Sequence, residues 1–238
     1  MLDPIVDLDE LPVEAIGMLR PSEYTAALIQ VLRSRAAWVN GADVLEIGSG
    51  SGVILAALGG LGAASLCGVD IEAEAALSGA RLLGELGYGG FARVLQGDMW
   101  EPVDGRRFDL IAANLPHFPM VSANFNDRLP TWSFGGPDGR MVLDRFLRGL
   151  PRHLAPGGRA IITHNAFVNL DQSHAIAERL GLAIRVAATL MVHIAPEKLD
   201  LMTRAILQIE NGRSIHRYGP HTFGDLHIVE IGAPEALG

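Results

Sequence analysis

The stretch Val44-Leu45-Glu46-Ile47-Gly48-Ser49-Gly50-Ser51-Gly52 constrains this chain more than any other. Its apolar, β-branched start reads as a buried strand. Glycine at every second position after it lets the main chain turn tightly, with no Cβ between the backbone and a ligand. A helical pattern follows, so the stretch is the first half of a βα unit. Two nucleotide-binding fingerprints fail here. Gly48 and Gly50 fit G-x-G-x-x-G, but position 53 is Val and the third glycine comes one place early. No Lys follows the glycines, which excludes a P-loop.

From about residue 42, short aliphatic runs alternate with helical patterns, the mark of βαβ units and a parallel sheet. The spacing predicts strands over 43–47, 65–70, 91–96, 108–114 and 159–163. It predicts helices over 52–58, 73–86, 137–154 and 171–180, the third stopping before the turn Pro156-Gly157-Gly158. Two more strands are expected over 183–194 and 226–231, separated by an amphipathic piece around 199–210. The expected fold is α/β and Rossmann-like: a seven-stranded, mostly parallel sheet with helices on both faces, the last strand antiparallel and the last strands paired at one edge. Residues 1–40 hold one helical stretch, 22–33, too short to own a core. They are expected to form a helical cap over the ligand mouth, and residues 41–238 the binding domain.

Composition removes several functions. The formal net charge is −8 over 238 residues, against broad binding to nucleic acid or anionic membrane. Cys67 is the single cysteine, which excludes a disulfide framework and a Cys-rich zinc site. His193, His216, His221 and His227 have no compact ligand spacing, so no metal is expected. The uncharged run 47–69 has the length of a membrane span, but its seven glycines and three serines fit strand, loop and helix better. With no signal pattern at the N-terminus, the expected location is cytoplasmic.

The chemistry is written at the strand ends, where open α/β sheets bind ligands. The second strand ends in Asp70, able to accept both hydroxyls of a ribose. The third ends at Gln96-Gly97-Asp98-Met99, with Asp98 placed to accept from an exocyclic adenine amine. The fourth runs into Asn114-Leu115-Pro116-His117. With Glu46 on the first, four polar positions fall near the carboxyl ends of successive strands. Cys67 and the interior helix positions read as core.

Over about residues 20–163 these residues resemble the class I S-adenosylmethionine-dependent methyltransferases. The resemblance implies S-adenosylmethionine as cofactor. It implies that Glu46, Gly48, Ser49, Gly50 and Gly52 wrap its methionine part, Asp70 with Ile71 the ribose, and Asp98 with Met99 the adenine. Within that class the chain is most similar to the release-factor glutamine N5-methyltransferases. Asn114-Leu115-Pro116-His117 stands where that group has Asn-Pro-Pro-Tyr, and Gly135-Gly136-Pro137-Asp138-Gly139 matches its Gly-Gly-Pro-Asp-Gly. Leu19-Arg20-Pro21-Ser22-Glu23-Tyr24-Thr25 looks like a degraded Arg-Pro-x-Thr-Glu. An amide nitrogen is a poor nucleophile because its lone pair is delocalised. An Asn oxygen and the next main-chain carbonyl can each accept one of its N–H groups and aim it. Asn114 is therefore the expected catalytic residue, also beside the cofactor, with Tyr24, Leu115, Pro116, His117 and Trp132 around the acceptor.

The departures point to the acceptor. Leu115 replaces a proline, and His117 replaces an aromatic that would stack on a planar group. A separate amino-terminal recognition domain, such as those protein methyltransferases carry, is not expected within these 238 residues. A planar or amine nitrogen of a small molecule or peptide is thus expected as acceptor, rather than a release factor, ribosomal protein or nucleic acid. The alternative keeps the cofactor and changes the reaction: closure of its aminobutyrate chain to azetidine-2-carboxylate with release of methylthioadenosine, which needs no acceptor clamp. His164-Asn165, after the fifth strand, is a further candidate for the substrate side.

Overall fold

β1 (Asp43–Ile47) sits at the centre of a sheet because Val44, Leu45, Glu46 and Ile47 are buried on both its faces. The computed structural model describes residues 21–121 and 132–237. Half of the expected 1–40 cap, including Leu19 and Arg20, lies outside the described residues. β2 (Ser65–Asp70) and β4 (Phe108–Ala113) flank β1, both parallel to it. β3 (Ala92–Gln96) pairs with β2, and β5 (Leu154–Asn165) with β4, again parallel. β6 (Ala183–Ile194) and β5 are bridged by β8 (His221–Gly232), antiparallel to both. A short strand, β7 (Ile215–Tyr218), pairs with β8. Among the described residues the order is β3-β2-β1-β4-β5-β8-β6, the seven strands expected, with the short β7 an eighth off this path. The last strand is antiparallel as expected, inserted between β5 and β6, and it pairs with β6 at the sheet's edge.

Helices cover both faces. α1 (Glu23–Ser34), α3 (Val53–Gly60) and α4 (Ala73–Glu85) lie on one, with the one-turn α2 (Ala36–Val39) following α1. α5 (Met141–His153) and α6 (Leu170–Arg179) lie on the other, where Phe146, Leu147 and Leu150 pack with Leu45, Ile111 and Ile162. α1 shares the sheet's core: Leu28, Val31 and Leu32 cluster with Val44, Leu110, Ile161 and Ile228. Arg35, just after it, reaches Glu230 on β8 at 2.7 Å, and Arg185 on β6 reaches the same carboxylate at 2.6 Å. Glu230 is fully buried, and both guanidiniums pair with its carboxylate.

Some expected boundaries move for local reasons. α5 starts at Met141, not near 137, because Gly136 (φ +85°) and Gly139 (φ +77°) hold 136–140 in a turn that no right-handed helix contains. The amphipathic piece is two helices, α7 (Pro196–Leu201) and α8 (Arg204–Glu210), broken at extended Met202 and Thr203. That break docks on the segment after β4. The Thr203 N–H donates to the Pro119 carbonyl at 2.8 Å, and its hydroxyl to the Pro137 carbonyl at 2.7 Å. Among the described residues no helix is long and apolar enough to cross a membrane.

Candidate active site

The turn after β1 is built on left-handed glycines. Gly48, Gly50 and Gly52 have φ of +71°, +50° and +79°. At Gly52 space is also short, since a Cβ there would stand 2.9 Å from the Gly79 Cα on α4. Asp70 then pins the turn from β2. Its Oδ2 accepts the Gly50 N–H at 2.8 Å and its Oδ1 the Glu72 N–H at 2.9 Å. Each carboxylate oxygen keeps a free lone pair for a ligand hydroxyl.

Two cavities meet over this turn. The larger, about 370 Å³, opens between the ends of β1, β2 and β4 and is lined by Asp70, Ile71, Asp98, Met99, Asn114 and Trp132 among others. That is the size of a small-molecule site. The smaller, about 30 Å³, is lined by Pro21, Thr25, Glu46, Ser49 and Ile54, among others. Gly48, Gly50, Ser51 and Asn114 line both. Together they make an elongated site, with Asn114 at the junction. The small end carries orphaned polarity: Glu46 Oε2 and Ser49 Oγ are buried, with no partner among the described residues. Burial pushes the Glu46 carboxyl well above the usual range; the Leu55 N–H opposes that shift and the nearby Asp70 charge adds to it. Buried polar atoms without partners are rare, and a polar ligand would satisfy both.

The larger cavity holds the other expected groups. Asp98 accepts from Arg145 on α5 at 2.8 Å, a neighbour sequence patterning missed. Met99 beside it has φ +53°, a conformation rare outside glycine. Ile71 lines the same cavity and is 66% exposed at its mouth. Trp132 closes across from the opposite side, its Nε1 donating to Glu72 at 3.0 Å. The Asn114 Oδ1 accepts the Thr163 hydroxyl at 2.9 Å, which orients the carboxamide and leaves one lone pair open.

Leu115 and Pro116 line the larger cavity, but His117 does not. Expected to face the acceptor, it turns inward instead. It is 2% exposed, its Nδ1 bonds the Leu115 carbonyl, and burial pushes its pKa down to about 4. Tyr24 also lies behind this loop rather than on the cavity. Its ring stands edge-on to His117 at 6.0 Å, and its hydroxyl donates to Asn165 Oδ1 at 2.8 Å. Burial pushes that phenol up. His164 is a core group, bonded to Ser173 Oγ at 2.8 Å and pushed down to about 3. Lys198, the chain's only lysine, lays its ammonium 4.1 Å from the Phe118 ring centroid. The Gly135–Gly139 segment has a physical task here: a Cβ on Gly135 would come 2.7 Å from the His117 Cα.

This strand order, the glycine turn after β1 and the acidic residues at the ends of β2 and β3 define a class I S-adenosylmethionine-dependent methyltransferase. No family model matches the chain. A Methanocaldococcus jannaschii protein described as a protein N5-glutamine methyltransferase is 32% identical over 188 residues, 76% of this chain and 92% of that protein. The release factor glutamine methyltransferase of Gloeobacter violaceus is 27% identical over 150 residues, and the matched part is 52% of its length. This chain thus spans about half of that bacterial relative. Among solved structures, the E. cuniculi Mtq2–Trm112 complex, described as responsible for methylation of the eRF1 termination factor, gives a TM-score of 0.58 at 16% identity. That match covers 91% of this chain and 98% of that one. The T. thermophilus 16S rRNA N2 G1207 methyltransferase, solved with AdoMet and guanosine, gives 0.55 at 19% identity, covering 92% and 45%. These likenesses show the fold. The sequence relationship shows the family: the chain belongs to the protein N5-glutamine methyltransferases.

Proposed function

We propose that this chain methylates a side-chain amide nitrogen, N5 of glutamine, presented by a protein or peptide. The observation that carries the reading is Asn114: a carboxamide fixed by Thr163 where the two cavities join, with the Leu115 carbonyl next along the chain. The residues fit the cofactor. The orphaned Glu46 and Ser49 oxygens suit the amino-acid end of S-adenosylmethionine, Asp70 and Ile71 the ribose, and Asp98 and Met99 the base. Bound there, S-adenosylmethionine supplies a sulfonium methyl, an electrophile strong enough for a weak nucleophile.

The chain's own part is orientation. Asn114 Oδ1 and the Leu115 oxygen each have a lone pair for one amide N–H, so the nitrogen is held at one angle as its charge develops. Trp132 and Phe134 give the acceptor side an apolar wall. The relatives move the acceptor from a small molecule toward a protein. One relative is the Chromohalobacter salexigens ribosomal RNA small subunit methyltransferase C, 31% identical over 144 residues, 38% of its length. The acidic balance of this chain supports a peptide over RNA. All the relatives named are methyltransferases, which weighs for transfer over ring closure. A cytoplasmic setting accords with such an acceptor.

Asn114→Ala tests the reading. Turnover on a blocked glutamine peptide should fall about 100-fold, the usual cost of removing one oriented group at a developing charge. The Kd for S-adenosylhomocysteine should change far less, because the lost contact matters in the transition state. Wild-type turnover in the variant would show that this strand end is only a turn.

A further inference from the structure

The loop after Asn114 contains a hydrogen bond that the reading above leaves unused. His117 Nδ1 meets the carbonyl oxygen of Leu115, two residues back. A carbonyl can only accept, so the ring carries its proton on Nδ1 and a bare lone pair on Nε2. Nε2 is buried and has no partner among the described residues. The ring is held in place. Tyr24 stands against it at 6.0 Å and Phe118 at 6.4 Å, and the Tyr24 hydroxyl is itself tied to Asn165. The backbone is held as well. A Cβ on Gly135 would meet the His117 Cα at 2.7 Å, and one on Gly139 would meet the His117 oxygen at 2.8 Å.

A donor so fixed acts on what it touches. Pro116 keeps Leu115 extended, but Leu115 has no ring of its own to lock its φ. Rocking of the Leu115–Pro116 peptide plane would swing the carbonyl relative to Asn114. We infer that His117 is a positioning residue, whose Nδ1–H holds the Leu115 carbonyl so that its second lone pair stays beside Asn114 for the acceptor N–H. The inference rests on the acceptor reading proposed above. The low pKa of the ring agrees with it, because a neutral imidazole places no charge beside the reacting nitrogen.

Three variants and one spectrum test this. His117→Phe keeps a ring without the donor, and His117→Asn keeps a donor near the Nδ1 position without the ring. Leu115→Pro in the His117→Phe background restores stiffness by a covalent ring. The probe is acetyl-Gly-Gln-Gly-amide with S-adenosylmethionine. His117→Phe should lose about tenfold or more in kcat, within the cost of a small misplacement. Its Kd for S-adenosylhomocysteine should stay within threefold of wild type. His117→Asn and the Leu115→Pro/His117→Phe double variant should each recover most of the lost kcat. Equal losses in His117→Phe and His117→Asn with no rescue would reduce His117 to packing, and a gain in His117→Phe would make it an obstruction; either overturns the inference. In the wild type, ¹⁵N imidazole shifts at pH 7 should show the Nδ1–H tautomer. If wild type does not turn over the peptide, the acceptor reading fails, and the spectrum judges the bond: an Nε2–H ring overturns it.

Discussion

Asp70 joins three parts of the site through one carboxylate, since it holds the Gly50 and Glu72 backbones and faces the larger cavity. Asp70→Ala should weaken S-adenosylhomocysteine binding by about 1.5–3 kcal/mol, the worth of hydrogen bonds to a charged group, measured by calorimetry. An unchanged affinity would remove Asp70 from the site. Asp70, Asp98 and Asn114 were legible in the sequence because strand ends have a period, and polar groups there stand out against apolar runs. Their partners were not. Tyr24 meets Asn165 across 141 residues of chain, and Asn114 meets Thr163 across 49. No local pattern carries such pairings. The inward turn of His117 was hidden for the same reason, because Tyr24 and Phe118 offer its ring more contact than the cavity does.

At the level of elements, the glycine turn and α1 each make a definite demand. Gly52→Ala puts an L residue at φ +79° and a methyl 2.9 Å from the Gly79 Cα. The left-handed conformation alone costs about 1–2 kcal/mol, and the clash is with backbone that cannot yield cheaply. Calorimetry should show Tm falling by at least about 2 °C. A neutral substitution would mean that α3 and α4 separate freely. Leu28 is fully buried against the sheet. Leu28→Ala should lower one cooperative transition by about 2–5 kcal/mol. A two-step melt, with α1 leaving first, would make residues 21–40 a separate cap. Strong apolar periodicity made β1, β2, β4 and α5 readable from sequence. The ends of the chain were harder. β7 has too few apolar residues to show, β8 begins five residues before its apolar run, and the break between α7 and α8 has neither glycine nor proline to mark it.

Over the whole molecule, three of the buried titratable groups bear on how stability follows pH in the acid range. His117 and His164 have folded pKa values pushed down to about 4 and 3, against 6.5 in an unfolded chain. The unfolded state therefore binds more protons below pH 6.5, and their contribution is lost as pH falls toward 3. Glu46 is shifted the other way, up from 4.5, so its contribution is complete at low pH and is lost as pH rises. Between 4.5 and 6.5 the two imidazoles outweigh the one carboxyl. The Tm of the ligand-free protein should therefore rise as pH climbs from 3 to 6.5, and Glu46→Gln should steepen that rise above pH 4.5. A Tm that is flat or falls between pH 4.5 and 6.5 would contradict this.

The central claim is that the Asn114 end of the sheet transfers a methyl group to an amide nitrogen. The most direct measurement is mass spectrometry of the full chain incubated with S-adenosylmethionine and a glutamine peptide. The account predicts S-adenosylhomocysteine, and a peptide heavier by one methylene unit with the added mass on the glutamine side chain. Methylthioadenosine with a new cyclic amino acid, or methyl added to a backbone or hydroxyl group and none to the amide, would contradict it.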